Sequence, residues 1–189
     1  MKPGLKRGLF FVLLFMGVGA AVHEATILLA PRILMELAMR RLEHIAHGIN
    51  RIAHGPRVDE KRREIVMPSP DLLYSQCVYD LRDGPLRISA EVPQGTYWSL
   101  SAYDERTDNF YVVNDRTAGG KGIALVLAAE GQTVSAAAAG LPVVRSPSRR
   151  GVLLFRTLID GEARFAEVDA ARRHADCTPL ELTASPSTR

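Results

Sequence analysis

The sequence predicts a mainly β protein: an antiparallel β-sandwich or jelly-roll-like domain, preceded by an N-terminal transmembrane helix and an amphipathic helix and closed by a short C-terminal helix. Three observations carry this. An apolar run behind a basic flank opens the chain. Apolar residues then recur at spacings of three and four. From residue 73 the apolar period becomes two, with turn residues about every 8–12 positions. The division is an anchor over 1–30, an amphipathic segment over 31–56, a β domain over 57–177 and a flexible tail over 178–189.

Residues 9–22 read LFFVLLFMGVGAAV behind Lys2, Lys6 and Arg7. Two readings compete. A signal peptide would be cut after Val18-Gly19-Ala20. A membrane anchor would continue through His23-Glu24 and ATILLA to Ala30, about 22 residues for ~30 Å of hydrocarbon. The second apolar stretch favours the anchor, because a removed signal needs none. Gly17, Ala21 and Glu24 fall at i, i+4 and i+7, on one helix face. Small residues beside one polar group are how membrane helices pack together. Lys2, Lys6 and Arg7 flank one end and Arg32, Arg40 and Arg41 the other, so charge alone does not orient the helix.

Pro31 suits the first position of a new helix. Leu34, Ala38, Leu42, Ile45, Ile49 and Ile52 give it one apolar face, and Gly55-Pro56 ends it. His44, His47 and His54 read as solvated histidines on its other side.

Leu73, Cys77, Tyr79 and Leu81 share a face of the first strand, and Arg82-Asp83-Gly84-Pro85 turns the chain. LRISAEV, 86–92, alternates without error. TYWSLSAY (96–103) and FYVVN (110–114) flank the polar loop DERTDN. Further strands are expected over 123–128, 132–137, 142–145 and 152–158. Asp160 is placed to cap a helix over 162–175, with Phe165 and Val168 on its apolar face.

The net charge is +3, from 24 Lys+Arg against 21 Asp+Glu. The basic residues sit in local pairs with no interleaved aromatics, which argues against a nucleic-acid-binding module.

Asp71, Tyr74 and Ser75 follow Pro70, and together with Tyr97 and Tyr103 they form the candidate ligand-binding rim. An Asp after Pro satisfies turn amides, and a Tyr lays its ring on a sheet with its hydroxyl at the rim. No His lies near Ser69 or Ser75 in sequence, and no Gly-x-Ser-x-Gly elbow occurs, so no catalytic residue is assigned. Asp104, Glu105, Asp108 and Asn109 crowd one loop but lack calcium-loop spacing, and no metal or cofactor is expected. Cys77 and Cys177 pair if the domain faces an oxidising compartment; otherwise they are inert buried thiols. Pairing would place the amino terminus inside and the domain outside.

MPSPDLLYS, YDLRDGPLRISAEVP and GTYWSLSAYDERTDNFYVVNDR together resemble the bacterial family called domain of unknown function 1254, over roughly residues 60–160. Ser69 stands where the family's opening motif has Asn, and Leu72 where it has Thr, so any binding role of that motif is altered here. The resemblance implies a β-sandwich-type fold. It also implies a partner, since short membrane-anchored members are encoded beside a protein carrying the companion domain of unknown function 1214. It implies no settled activity. The expectation is a non-enzymatic envelope protein, single-pass in the bacterial inner membrane, whose periplasmic domain associates with that companion. The rival is a small-molecule-binding or hydrolytic domain using the Asp71/Tyr74 rim.

Overall fold

The computed structural model describes residues 3–59, 68–120, 122–135, 138 and 140–180. A single helix, α1, runs Pro3–Ala46. Its N-terminal part is long and apolar enough to cross a membrane and is not buried against the rest of the chain. The expected break at Pro31 does not occur, and Pro31 lies inside α1. A proline removes one backbone bond, here to the Ile27 carbonyl; the turns on either side carry the helix past it. The helix also ends earlier than expected. Gly48 N–H donates to Glu43 O, and His47 and Asn50 adopt φ of 54°. Residues 52–54 then form a strand where helix was expected.

The β region is two sheets around a shared core. The first has the order β1-β2-β8-β4-β5, with β1 Ile52–His54, β2 Leu72–Asp80, β4 Trp98–Asp104, β5 Asn109–Asn114 and β8 Arg150–Leu158. The second has the order β7-β6-β3-β9, with β3 Leu86–Ala90, β6 Ile123–Ala129, β7 Val143–Ser146 and β9 Asp176–Pro179. Cys77, Tyr79, Leu100 and Leu153 from the first sheet meet Leu86, Ile88, Leu125 and Leu127 from the second. The expected alternation of β2, β3 and β4 therefore does place one face of each strand in the core.

The expected antiparallel arrangement fails at one pair: β7 runs parallel to β6, with Val126 opposite Val143. The strand expected over 132–137 is absent over 132–135, and 136 and 137 lie outside the described residues. Gln132 explains this. Its Oε1 accepts Ala129 N–H and its Nε2 donates to Leu81 O, so its side chain turns the backbone there. The C-terminal helix is shorter than expected: a 3₁₀ turn, Glu162–Arg164, leads into α2, Phe165–Arg173. Asp160 does not cap it. Gly161 at φ 87° redirects the chain, and Asp160 faces Arg164 at 3.5 Å instead. Residues 176–179, read in part as tail, pair with β3 as an edge strand. Cys77 on β2 and Cys177 on β9 are joined by a disulfide that ties the two sheets together.

Candidate functional site

The expected rim residues are dispersed. Asp71 is exposed in the turn before β2, where its carbonyl accepts Ile159 N–H and its own N–H faces Ser69 Oγ. Tyr74 is half-buried, and its hydroxyl accepts the Ser69 N–H at 2.8 Å, pinning the same turn. Tyr97 precedes β4 and lines a cleft of about 420 Å³ with Gln94, Trp98, Asp115 and Asp160. Asp71 and Tyr97 flank the end of β8, since Leu158 N–H donates to Tyr97 O. Tyr103 sits six residues along β4 from Tyr97, roughly 20 Å away. It packs beneath α1 beside Met35 and Met39. The structure therefore brings Asp71 and Tyr97 to one sheet end and takes Tyr103 to the other.

Ser75 follows Tyr74 on a strand, so it points to the opposite face. It is 1 % exposed. Its Oγ lies 2.9 Å from His54 Nδ1, a partner 21 positions away in sequence. Arg172 Nη1 donates to the same oxygen at 3.4 Å and to Tyr74 O at 2.9 Å. Arg172 Nη2 donates to Gly55 O, and Nε donates to Asp169 at 2.6 Å. Together they form a lock between β1, β2 and α2 rather than an open nucleophile: the serine is sealed and its oxygen is held by a guanidinium. Burial, then the charges of Arg172 and Arg173, push His54 below its ordinary pKa, with Asp169 opposing.

That depression fixes a pH dependence. Where the unfolded chain protonates His54 and the folded chain does not, stability falls as pH falls. Urea midpoints are expected to be flat in this contribution above about pH 7 and to decline below ~6.5. His54→Asn removes that part of the slope. Parallel midpoint–pH curves for both proteins would contradict the assignment.

The acidic loop also turns inward. Asp104 Oδ1 accepts the N–H groups of Arg106 and Asp108 at 2.7 and 3.0 Å. Among the described residues no group of three or more His, Cys, Asp or Glu could hold a metal ion.

The most extensive construction on the first sheet's outer face is the seat of α1. Met35 and Met39 are buried against Val78 and Val152, with Leu42 and Tyr103 alongside. Arg150, the first residue of β8, donates to Glu36 at 3.0 Å and to Glu43 at 2.6 Å, clamping the helix at two points about two turns apart. Asn50 continues the attachment: its Nδ2 donates to Asp80 O, and its Oδ1 accepts Asp80 N–H at 2.7 Å. At ~100° per residue, Gly17, Ala21, Glu24, Met35, Met39 and Leu42 fall within about 60° of one another. The face expected to pack in the membrane is thus in line with the face that docks on the domain. Of the apolar face expected from the spacing, only Leu42 packs in this seat; Leu34, Ala38 and Ile45 are exposed, and the docking face is the neighbouring one, which carries Met35 and Met39. Nothing in the sequence pairs Arg150 with residues more than a hundred positions away.

Residues 49–179 match the protein family described as "Protein of unknown function (DUF1254)". No curated protein matches the chain. Among solved structures it is similar to the VPA0106 protein from Vibrio parahaemolyticus, with TM-score 0.60 and 19% identity, over 82% of this chain and 38% of that one. It also matches an uncharacterised protein from Burkholderia cenocepacia, with TM-score 0.45 and 14% identity, over 61% of this chain and 33% of that one. The chain thus spans well under half the length of either protein.

Proposed function

The chain belongs to the DUF1254 family of proteins of unknown function, and from that premise we propose that it is a membrane-anchored assembly protein without catalytic activity. Helix α1 crosses the bacterial inner membrane once, the two-sheet sandwich faces the periplasm, and the work of the chain is to hold a companion protein of the 1214 domain type. The observation that carries this reading is the shared face of α1. Its outer part, at Met35, Met39 and Leu42, is occupied by the domain. Its inner part, at Gly17, Ala21 and Glu24, is exposed.

A carboxylate inside a membrane helix is costly unless another chain gives it a partner. Small residues beside it allow a second helix to come close. The disulfide supports an oxidising compartment for the domain, because cytosolic thiols are kept reduced. A second copy is poorly suited to the Gly17–Glu24 face: each copy's domain projects on that side and would meet the other's helix. A different chain fits better.

The test is affinity purification of C-terminally tagged protein from mild-detergent membranes, with mass spectrometry of what accompanies it. A single stoichiometric partner is expected, and Glu24→Leu or Gly17→Ile should release it. A clean, partner-free protein would overturn the reading and turn attention to the cleft beside Tyr97.

A further inference from the structure

Where α1 leaves its apolar stretch, a cleft of about 480 Å³ opens between the helix and the turn joining β4 to β5, lined by Arg32, Glu36, Met39, Glu105 and Arg150. That volume lies in the range of small-molecule sites. Met39, buried against the sheet, gives the cleft an apolar floor. Two of its four charges are committed elsewhere, since Arg150 is bonded to Glu36 and Glu43. The other two are not. Among the described residues, the side chains of Arg32 and Glu105 have no hydrogen-bond or ion-pair partner, although both line the same cleft. One free cation and one free carboxylate therefore face a shared space.

Depth decides what meets them. With Ala30 at the edge of the hydrocarbon, Arg32 lies about 3 Å beyond it and Glu36 about 9 Å, at 1.5 Å per residue. A bilayer's polar layer is ~5–7 Å thick on each side. Arg32 thus stands at the level of lipid phosphates, and the cleft opens outward from it. We infer that this cleft binds the headgroup of a zwitterionic phospholipid such as phosphatidylethanolamine, with phosphate on Arg32 and ammonium on Glu105. A guanidinium suits phosphate oxygens, and a carboxylate accepts from an ammonium in a charge-assisted bond. A purely anionic lipid would satisfy Arg32 and bring its charge near Glu36 and Glu105, which disfavours it. The inference rests on the proposal that α1 spans the membrane.

The experiment uses the full chain in mild detergent, with dioleoyl phosphatidylethanolamine or dioleoyl phosphatidylglycerol added and bound lipid counted by native mass spectrometry. The wild type should retain the ethanolamine lipid in preference. Arg32→Gln and Glu105→Gln, both at exposed positions, should each lower retention about tenfold, the size of a lost charge-assisted bond. Arg87→Gln, exposed on β3 in the other sheet, should change nothing. Equal retention of both lipids, or no effect of Glu105→Gln, overturns the site. Carbonate washing of membranes tests the premise separately. Release of the uncut chain would overturn the anchor as well as the lipid site, whereas a retained chain with indifferent variants would overturn the lipid site alone.

Discussion

Gly151→Ala is expected to destabilise the folded domain by more than ~3 kcal/mol, at the upper end of what overpacking does. Gly151 lies in β8 opposite Tyr79 on one side and Asp104 on the other. A Cβ there would collide with the Tyr103 carbonyl oxygen and the Tyr79 hydroxyl. Neither neighbour can move away cheaply. The Tyr103 oxygen is backbone. The Tyr79 ring is fully buried, and its hydroxyl donates to Tyr103 O and lies 2.9 Å from Ser146 Oγ. Burial above all pushes that hydroxyl's pKa up to about 12, so it stays protonated and keeps its bonds. Unfolding in urea, followed by the fluorescence of buried Trp98, measures the loss. Tyr79→Phe in the same chain should recover little of it, because the ring's Cζ would still stand 2.6 Å from the new Cβ and the Tyr103 carbonyl would not have moved. A midpoint equal to wild type would show that β8 does not pair in this register.

Removing the disulfide has the second largest expected effect. Cys77 and Cys177 close a loop of sequence separation 100. In the chain-entropy model a loop that long is worth about 4.7 kcal/mol, and measured values often fall short. Against a total stability of ~5–15 kcal/mol this is a large share. The Cys77→Ala/Cys177→Ala chain, or the wild type under reductant, should melt about 10 °C lower. The damage should begin at β9, a four-residue edge strand paired with β3 alone. Amide exchange at residues 176–179 should rise before exchange in β2 or β8. An unchanged melting temperature under reductant, with both thiols shown to be free, would contradict the loop argument.

The elements legible in the sequence are those whose own side chains dictate them. β2, β3 and β4 alternate because one face of each lies in the core, and that alternation is visible in a single stretch of chain. The elements that escaped are held by distant partners. β1 is three residues whose apolar spacing continues a helix; it becomes a strand because β2 offers it an edge and His47, Gly48 and Asn50 have already ended α1. β9 forms because β3 and the disulfide hold it. The direction of β7 depends on where the chain returns after Gln132, a matter of connection rather than composition.

The rim was the least legible part. Tyr74 and Ser75 are neighbours in sequence but face opposite ways, and His54, whose spacing puts it on the solvated side of a helix, stands instead against Ser75. Arg172, which binds Tyr74, Ser75 and Gly55 from α2, carried no signal in a basic pair at the end of a helix.

The strand order of the first sheet also sets a timetable for folding. β8 lies between β2 and β4, yet it is the last of the five to be synthesised. Until residue 158 is available, β2 and β4 have no shared neighbour, and each shows an edge of unpaired backbone N–H and C=O groups. The β4–β5 hairpin can form early, but the first sheet cannot close until its central strand arrives from far along the chain. Such non-local closure makes folding slow. For that interval Cys77 is a free thiol on an open strand, so the period of greatest exposure to mispairing is written into the order in which the strands appear.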